Sequence, residues 1–112
     1  MSTPVPRRRR RGPGLVRVAG PSMEPTLRDG DLALVWWGGS AAPGRLVVFT
    51  HPVEGVLTVK RVARPDPDDP SRWWVERDNA HVGSDSWSFG SIAGDAVLGR
   101  VLTRLPRSPR AG

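Results

Sequence analysis

Short apolar runs, separated by turns rich in glycine and proline, make up most of this chain. Runs of this length that alternate, or that are rich in β-branched residues, predict β-strands. No stretch shows the period of an amphipathic helix. Six strands are predicted, at residues 15–19, 31–37, 45–51, 55–64, 72–77 and 96–105. The pattern therefore predicts an all-β fold, a small single-domain β-barrel or folded sheet of about six strands.

The apolar pattern predicts different burial for two of these strands. Residues 45–51, RLVVFTH, hold a continuous apolar run, which is typical of a strand buried on both faces. Residues 55–64 alternate instead, so that Lys60 shares its face with Val56 and Val62. We therefore expect the Lys60 side chain to point into an apolar wall.

The polar residues concentrate in three loops. Residues 20–31, GPSMEPTLRDGD, open with a turn because Pro21 has no N–H to donate to a ladder, and Ser22 thus lies at a strand exit. Residues 65–70, PDPDDP, are predicted to form an acidic, proline-rich loop. Residues 78–95 are polar, glycine-rich and without periodicity, and a loop of this length in a compact domain is usually functional.

The net charge of +6 belongs to the two ends of the chain. Residues 1–14 carry five arginines and residues 106–112 carry two, without any acid, which leaves ten basic and eleven acidic residues in 15–105. We therefore predict a disordered arginine-rich arm (1–14), one folded domain (15–105) and a flexible tail (106–112). Because the domain is near neutral, we do not expect nucleic acid as a partner, although the arm alone would suit an anionic surface.

The amino-acid composition bears on metal and disulfide chemistry and on the expected cellular location. The 112 residues contain no cysteine and two histidines, so we predict neither a disulfide nor a metal site, and no cofactor. No apolar run approaches the roughly 20 residues that cross a bilayer, and no apolar segment of a signal peptide follows the arginines. We therefore expect a soluble, cytoplasmic protein. Contact with a membrane surface through the five tryptophans stays open.

One serine and one lysine carry the candidate catalytic chemistry. A serine hydroxyl is a poor nucleophile until a base removes its proton, and a neutral lysine can be that base. Sixteen of the seventeen basic residues are arginine, which does not deprotonate, and Lys60 is the single lysine. Burial can lower the pKa of a lysine by roughly 3–5 units. We interpret Ser22 as the nucleophile, with its own N–H as an oxyanion donor, and Lys60 as the general base. A triad with His51 or His81 stays open, although both are predicted to be ordinary loop residues.

Four stretches in order resemble the type I signal peptidase family of serine–lysine peptidases. GPSMEPTLRDGD resembles its serine box, PGRLVVFTHP the strand that follows, VKRV the lysine–arginine box, and ERDNAHVGSDSWSFG the Gly-Asp-Asn…Ser-x-Asp-Ser-Arg-x-Phe-Gly box. The resemblance implies a signal-peptidase-like core with a shallow cleft for an extended peptide, with Ser22 as nucleophile and Lys60 as base. It also implies supporting roles for five residues: Met23, Asp78, Asn79, Ser84 and Asp85.

Four positions depart from the pattern of that family. Arg77 replaces the glycine of Gly-Asp-Asn, and Trp87 replaces the arginine that usually pairs with the box aspartate. Gly83 stands where the family often has a serine that orients the lysine amine, and we expect Ser84 to substitute for it. Gly20 stands where some members place a hydroxyl donor to the oxyanion. These changes affect loop geometry and leave the serine and the lysine in place.

Within the family, this short chain without a membrane anchor is most similar to the nickel-type superoxide dismutase maturation proteases. That resemblance implies a serine endopeptidase that removes the N-terminal leader from the dismutase precursor. Three alternatives stay open: processing of another client at or near the membrane, a LexA-like self-cleaving domain, and a non-catalytic binding module with a basic arm. Self-cleavage would need a site such as Ala19-Gly20, which abuts Ser22, or Ala111-Gly112.

Overall fold

A computed structural model of the protein describes residues 11–106. In this part of the chain, seven strands form one antiparallel sheet in the order β1-β2-β7-β3-β4-β5-β6. They are β1 (Gly12–Arg17), β2 (Leu32–Trp37), β3 (Leu46–Thr50), β4 (Leu57–Asp66), β5 (Asp69–Glu76), β6 (Ile92–Ala93) and β7 (Val97–Arg104). The predicted all-β, single-domain fold is confirmed. Most of the predicted arm and tail, residues 1–10 and 107–112, lies outside the described residues.

β1 begins at Gly12, inside the stretch that was predicted to be a disordered arm. The reason is a close fit between a glycine and a tryptophan on neighbouring strands. A Cβ added at Gly14 of β1 would overlap the indole of Trp37, which is 7 % exposed, and a Cβ at Gly99 of β7 would also press on that ring. The glycine that indicated disorder in the sequence therefore leaves the space that a buried tryptophan fills.

The predicted loop at 65–70 is a tight hairpin instead. β4 continues to Asp66, β5 begins at Asp69, and these two residues pair across the turn. The Asp66 carboxylate accepts a hydrogen bond from the N–H of Asp68 at 2.9 Å, and Asp69 accepts one from Ser71 at 3.0 Å. An aspartate whose side chain accepts a hydrogen bond from the backbone N–H two residues later favours a turn. The acidic composition therefore indicated the turn correctly, but it did not indicate that β4 and β5 extend up to that turn.

Three short elements lie in, or begin in, the segment 78–95 that was predicted to lack regular structure. Helix α1 (Ser86–Phe89) follows its N-cap Asp85, whose side chain accepts from the N–H of Trp87 at 3.1 Å. β6 pairs with β5, and a 3₁₀ turn (Gly94–Ala96) leads on to β7. One helical turn and a two-residue strand are too short to leave a period in the sequence. Neither helical element in residues 11–106 has the length and apolarity that would carry it across a membrane.

β3 lies between the two hydrophobic clusters of the core. Val48 belongs to one cluster, whereas Val47 and Phe49 belong to the other, and all three side chains are 0 % exposed. The predicted burial of this strand on both faces is confirmed. The first cluster also holds Met23 and Leu27, each 1 % exposed, which come from the segment between β1 and β2. This segment is therefore anchored in the core, and it carries Ser22.

Candidate active site

The loop that carries Ser22 is closed at its base and anchored at its centre. The N–H of Val18 donates to the carbonyl oxygen of Asp31, and the N–H of Gly30 donates to that of Val18, each at 2.8 Å. Met23, predicted as a supporting residue, fills core space immediately beside the nucleophile candidate. Its burial places Ser22 at the surface of the core, facing a cleft. The role of Met23 is therefore anchorage.

Lys60 reaches Ser22 from β4. Its Nζ lies 2.7 Å from Ser22 Oγ, so residues 38 positions apart form a direct hydrogen bond. Lys60 is 5 % exposed, and its cross-strand partner Val47 and its same-face neighbour Val62 are 0 % and 1 % exposed. Desolvation by this burial lowers the pKa of Lys60 from the ordinary value of 10.5, because a low-dielectric environment disfavours the ammonium form. The apolar wall expected from the strand pattern is the cause.

Ser22 and Lys60 line a cleft of about 540 Å³. Its lining comes chiefly from two stretches of backbone: residues 16–20, where β1 ends, and residues 56–59, where β4 begins. Gly83 and Ser84 line it near Ser22, and His51 and Glu54 also contribute. A groove between two such stretches suits an extended polypeptide, which can use its own N–H and C=O groups to pair with exposed backbone.

Asn79 holds the backbone of the nucleophile loop. Its N–H donates to the carbonyl oxygen of Ser22 at 2.8 Å, and its side-chain Nδ2 donates to that of Pro21 at 3.0 Å. Both carbonyls flank the reactive side chain, so Asn79 determines the direction in which the turn faces. The structure thus brings this predicted supporting residue directly to the site.

Asp78 joins the same loop to β4 without touching Ser22 or Lys60. It accepts hydrogen bonds from Thr26 at 2.6 Å and, in bidentate geometry, from Arg61 at 2.8 and 2.7 Å. Burial alone would raise the pKa of Asp78, but the hydrogen bonds from Arg61 and Thr26 outweigh it, and the pKa lies below the usual 3.8. Asp78 is therefore a structural link between the serine loop and the strand that bears the lysine.

Arg77 and Trp87 compensate for each other's departure from the family pattern. Arg77 Nη1 lies 3.3 Å from the buried carboxylate of Asp85, so this guanidinium takes the place of the arginine absent at position 87. Trp87 is 70 % exposed and packs its ring on Trp74 instead, with centroids 5.1 Å apart. After desolvation, the next influences on the pKa of Lys60 are the charges of Asp85, which raises it, and Arg77, which lowers it.

The segment after this pair packs directly on the nucleophile. Gly83 has a φ of +94°, and a Cβ added there would overlap the Cβ of Ser22. A serine at position 83 would therefore displace Ser22, which explains the departure. Ser84 was expected to orient the lysine amine; it lines the cleft, but its Oγ contacts His51 Nε2 at 3.2 Å instead. Within residues 11–106, Lys60 Nζ makes one hydrogen bond, to Ser22.

Backbone groups near Ser22 determine where an oxyanion would be stabilised. Within residues 11–106 the N–H of Ser22 donates no hydrogen bond, and Ser22 lines the cleft. The N–H of Gly20, in contrast, donates to the Asp29 carboxylate at 2.8 Å. The Ser22 amide is therefore the donor that the site offers to a developing negative charge.

The match to a known protein family covers most of the chain. A family model described as Peptidase S24-like matches residues 4–102. The chain belongs to the Peptidase S24-like family. Membership supports a serine peptidase in general, with a protein as its substrate. No curated protein gives a significant match to the sequence.

Two residues near the site of this S24-like domain were not assigned from the sequence. Arg77 had a signal, since a box aspartate that lacks its usual arginine requires another cation nearby. His51 had none, because nothing local distinguishes a buried histidine after a strand from an exposed one; it is 6 % exposed. His81, in contrast, is an exposed loop residue, as predicted. Residues 11–106 assemble no group of three or more acidic or histidine side chains that would hold a metal ion.

Proposed function

We propose that this S24-like chain is an endopeptidase of the serine–lysine type that removes an N-terminal leader from a precursor protein. The observation that carries the proposal is the 2.7 Å contact between Ser22 Oγ and the Nζ of a lysine that is 5 % exposed. A buried lysine whose pKa is lowered is suited to accept a proton, and the hydroxyl beside it is suited to give one. The cleft beside them accommodates an extended chain.

The geometry supports a two-step acyl transfer. Ser22 Oγ attacks the scissile carbonyl carbon while its proton passes to the neutral Nζ of Lys60, and the N–H of Ser22 stabilises the oxyanion. The resulting ammonium then gives the proton to the departing amine nitrogen as the C–N bond breaks. A water molecule repeats the sequence on the acyl-serine: its proton passes to Nζ, its oxygen bonds to the carbonyl carbon, and Ser22 is released with its proton restored.

The precursor of nickel-type superoxide dismutase is the substrate that we propose. The support is the resemblance of the four sequence boxes to the maturation proteases of that enzyme, and a cytoplasmic location would fit that client. The two extended stretches that line the cleft provide backbone on both sides of a leader segment, and the lining residues Val16, Val18 and Val56 would favour small or apolar side chains in the leader.

Intact-mass spectrometry of a leader-bearing nickel superoxide dismutase precursor tests the proposal. The precursor is incubated with the wild-type chain, with Ser22→Ala and with Lys60→Arg. We expect a single mass loss that exposes the N-terminal histidine of the dismutase, and no loss with either variant. An unchanged precursor would remove the proposed substrate. Cleavage that persists with Lys60→Arg would exclude lysine as the base, because arginine stays protonated.

The same spectra address self-cleavage, the second activity compatible with an S24-like match. The Ala19-Gly20 bond lines the cleft, but the Gly20 N–H is held by Asp29 at 2.8 Å, and the bond lies two residues before the nucleophile. We therefore expect the mass of the protein itself to stay constant during the incubation. A loss from the protein that Ser22→Ala abolishes would favour self-cleavage over processing of a client.

A further inference from the structure

His51 is buried beside the catalytic pair, although it has no part in the mechanism above. It follows β3 directly, is 6 % exposed, and lines the same cleft as Ser22 and Lys60. Its ring packs edge-on against Phe89 of α1, with centroids 4.8 Å apart, which fixes the plane of the imidazole. Each of its two ring nitrogens contacts a different segment of the chain, Nδ1 the turn after β3 and Nε2 the loop before α1.

The hydrogen bonds of His51 specify one tautomer. Nδ1 accepts from the N–H of Val53 at 3.1 Å and from the N–H of Glu54 at 3.0 Å. A nitrogen that accepts two hydrogen bonds carries no proton, so the proton of the neutral ring is on Nε2. Nε2 lies 3.2 Å from Ser84 Oγ, and therefore the imidazole donates to that hydroxyl.

Closing the turn at 52–55 would not by itself require a histidine. Asp66 and Asp69 accept from the backbone two residues on in the same way, with carboxylate oxygens. The imidazole adds a second nitrogen on the opposite side of a rigid ring. In this protein that second nitrogen is directed at Ser84, in the wall of the cleft.

The position of Ser84 bears on the nucleophile through its neighbour. Gly83 lies so close to Ser22 that a Cβ at position 83 would overlap the Ser22 Cβ. Ser22 is thus bounded by the Gly83 backbone on one side and by Lys60 Nζ, at 2.7 Å, on another. A shift of the segment that holds Gly83 and Ser84 would change the space that confines the Ser22 side chain.

We propose that His51 is a positioning residue of the Ser22–Lys60 pair: its Nε2–H holds Ser84, and through Ser84 it holds Gly83 against the nucleophile. The inference rests on the proposed function, since the pair that His51 positions is the one assigned to peptide cleavage. His51 links β3 to the loop before α1, so the catalytic serine is supported from the core by Met23 and from the loop side by this histidine.

Two substitutions separate the two nitrogens of the ring. The side-chain oxygen in His51→Asn takes the place of Nδ1 and keeps the turn closed, but it removes the donor to Ser84. The side-chain amide in His51→Gln reaches the place of Nε2 and keeps that donor, but it removes the acceptor for the turn. Ser84→Ala removes the hydroxyl that accepts the hydrogen bond from His51. The double variant His51→Asn/Ser84→Ala tests whether the two single substitutions act by breaking this same contact.

The first readout is kcat/KM on the dismutase precursor, with thermal unfolding measured in parallel. We expect His51→Asn and Ser84→Ala each to lower kcat/KM by about 10-fold to 100-fold at nearly unchanged Tm, since a misplacement of about 1 Å can cost that much. The double variant should lose no more than either single one, and His51→Gln should keep kcat/KM within about threefold of the wild type at a lower Tm. Wild-type kcat/KM in His51→Asn would overturn the proposal and leave His51 as a turn closure.

A second readout does not depend on the substrate. Lys60 is the single lysine of the chain, so lysine labelled with ¹³C at Cε gives one side-chain NMR signal that reports on its contact with Ser22. We expect this signal to move in His51→Asn and Ser84→Ala and to stay in His51→Gln. An unmoved signal in His51→Asn would overturn the inference even where the precursor is cut. A moved signal would support it even where the wild type leaves this precursor intact, in which case only the proposed function fails.

Discussion

Lys60 and Arg61 are consecutive on β4, yet the fold treats their positive charges in opposite ways. Lys60 points to the cleft, where desolvation lowers its pKa, and its hydrogen bond goes to a neutral hydroxyl. Arg61 points to the other face, where the hydrogen bonds from its guanidinium to Asp78 raise its pKa. One cation is prepared to lose a proton, and the other is bound to a carboxylate.

The difference shows how a sheet can place the proposed base and a structural ion pair on adjacent residues. Strand alternation separates the two side chains, and each face then supplies its own partner. On the Lys60 face, Asp85 is the carboxylate with the largest influence on the pKa of Lys60, and it is paired with Arg77 at 3.3 Å. The charges of Asp85 and Glu54 both raise the pKa of Lys60, but desolvation by burial is the largest influence, and it lowers the pKa.

The largest expected effect on kcat/KM comes from replacing Lys60 by arginine, the residue type that follows it on β4. Lys60→Arg should reduce kcat/KM by about 10³-fold or more, because arginine does not deprotonate. In the wild type, kcat/KM should rise with pH as Lys60 loses its proton, with a midpoint below 10.5 because the pKa of Lys60 is lowered. A pH–rate profile on the precursor measures both effects. A flat profile at neutral to alkaline pH would contradict lysine as the base.

The next effect tests the space around Ser22 on the Lys60 face of β4. Gly83→Ala should lower kcat/KM by about 10²-fold, because the added methyl overlaps Ser22 and displaces the hydroxyl. Gly44→Ala is the matched control: Gly44 has a φ of +84°, similar to the +94° of Gly83, but no atom lies near its added Cβ. Equal losses of activity in the two variants would show that backbone strain, and not contact with Ser22, is responsible.

A smaller effect tests the ion pair between Arg77 and Asp85, whose two charges act on the pKa of Lys60 in opposite directions. Arg77→Ala should raise the pKa of Lys60, since it removes a positive charge and leaves the Asp85 carboxylate unpaired. At pH 7 we expect kcat/KM to fall about threefold to tenfold, together with an upward shift of the Lys60 NMR titration.

The compensating substitution sharpens this test. Arg77→Ala/Trp87→Arg should recover part of the lost activity, because it restores a guanidinium at the position that the family uses, and Trp87→Arg alone serves as the reference. If Arg77→Ala leaves the Lys60 titration unchanged, the charges of Arg77 and Asp85 do not influence the pKa of Lys60. The difference between the two faces of β4 would then not depend on these charges.

The smallest effect lies on the Arg61 face and concerns stability. Asp78→Asn should lower the free energy of unfolding at pH 7 by about 1–2 kcal/mol, because it weakens the charged hydrogen bonds to Arg61 and Thr26. Since the pKa of Asp78 lies below 3.8 in the folded protein, its contribution is present above that pH and is lost as the pH falls through the folded value. Urea unfolding from pH 3 to 7 should therefore show the two proteins converging in acid.

A control variant on an exposed carboxylate completes this measurement. Asp95 lies in the 3₁₀ turn before β7 and is exposed. Asp95→Asn should follow the wild-type curve across the same pH range to within about 0.5 kcal/mol. A gap between Asp78→Asn and the wild type that persists undiminished at pH 3 would show that the loss arises from packing and not from the charge of Asp78.

The sequence by itself predicted most of the strands and singled out Ser22 and Lys60, the two side chains that the structure brings into contact. Alternation over 55–64 and the continuous apolar run over 45–51 carry burial information that needs no partner, because side-chain period and hydrophobicity are local properties. The choice of lysine once among sixteen arginines pointed to Lys60, since deprotonation is the property that arginine lacks. The serine loop followed from Gly20-Pro21 at the end of the first apolar run, because Pro21 has no N–H to donate to a ladder.

Only the tertiary structure decided which loop residues contact and position Ser22 and the groups around Lys60. Gly14 became part of a strand because the Trp37 ring from the next strand fills its space, and Gly83 became necessary because Ser22 lies against it. His51, Asn79 and Arg77 gained their roles from partners 8 to 58 positions away in the chain. Contacts of that kind depend on distances in space, and no local pattern encodes them.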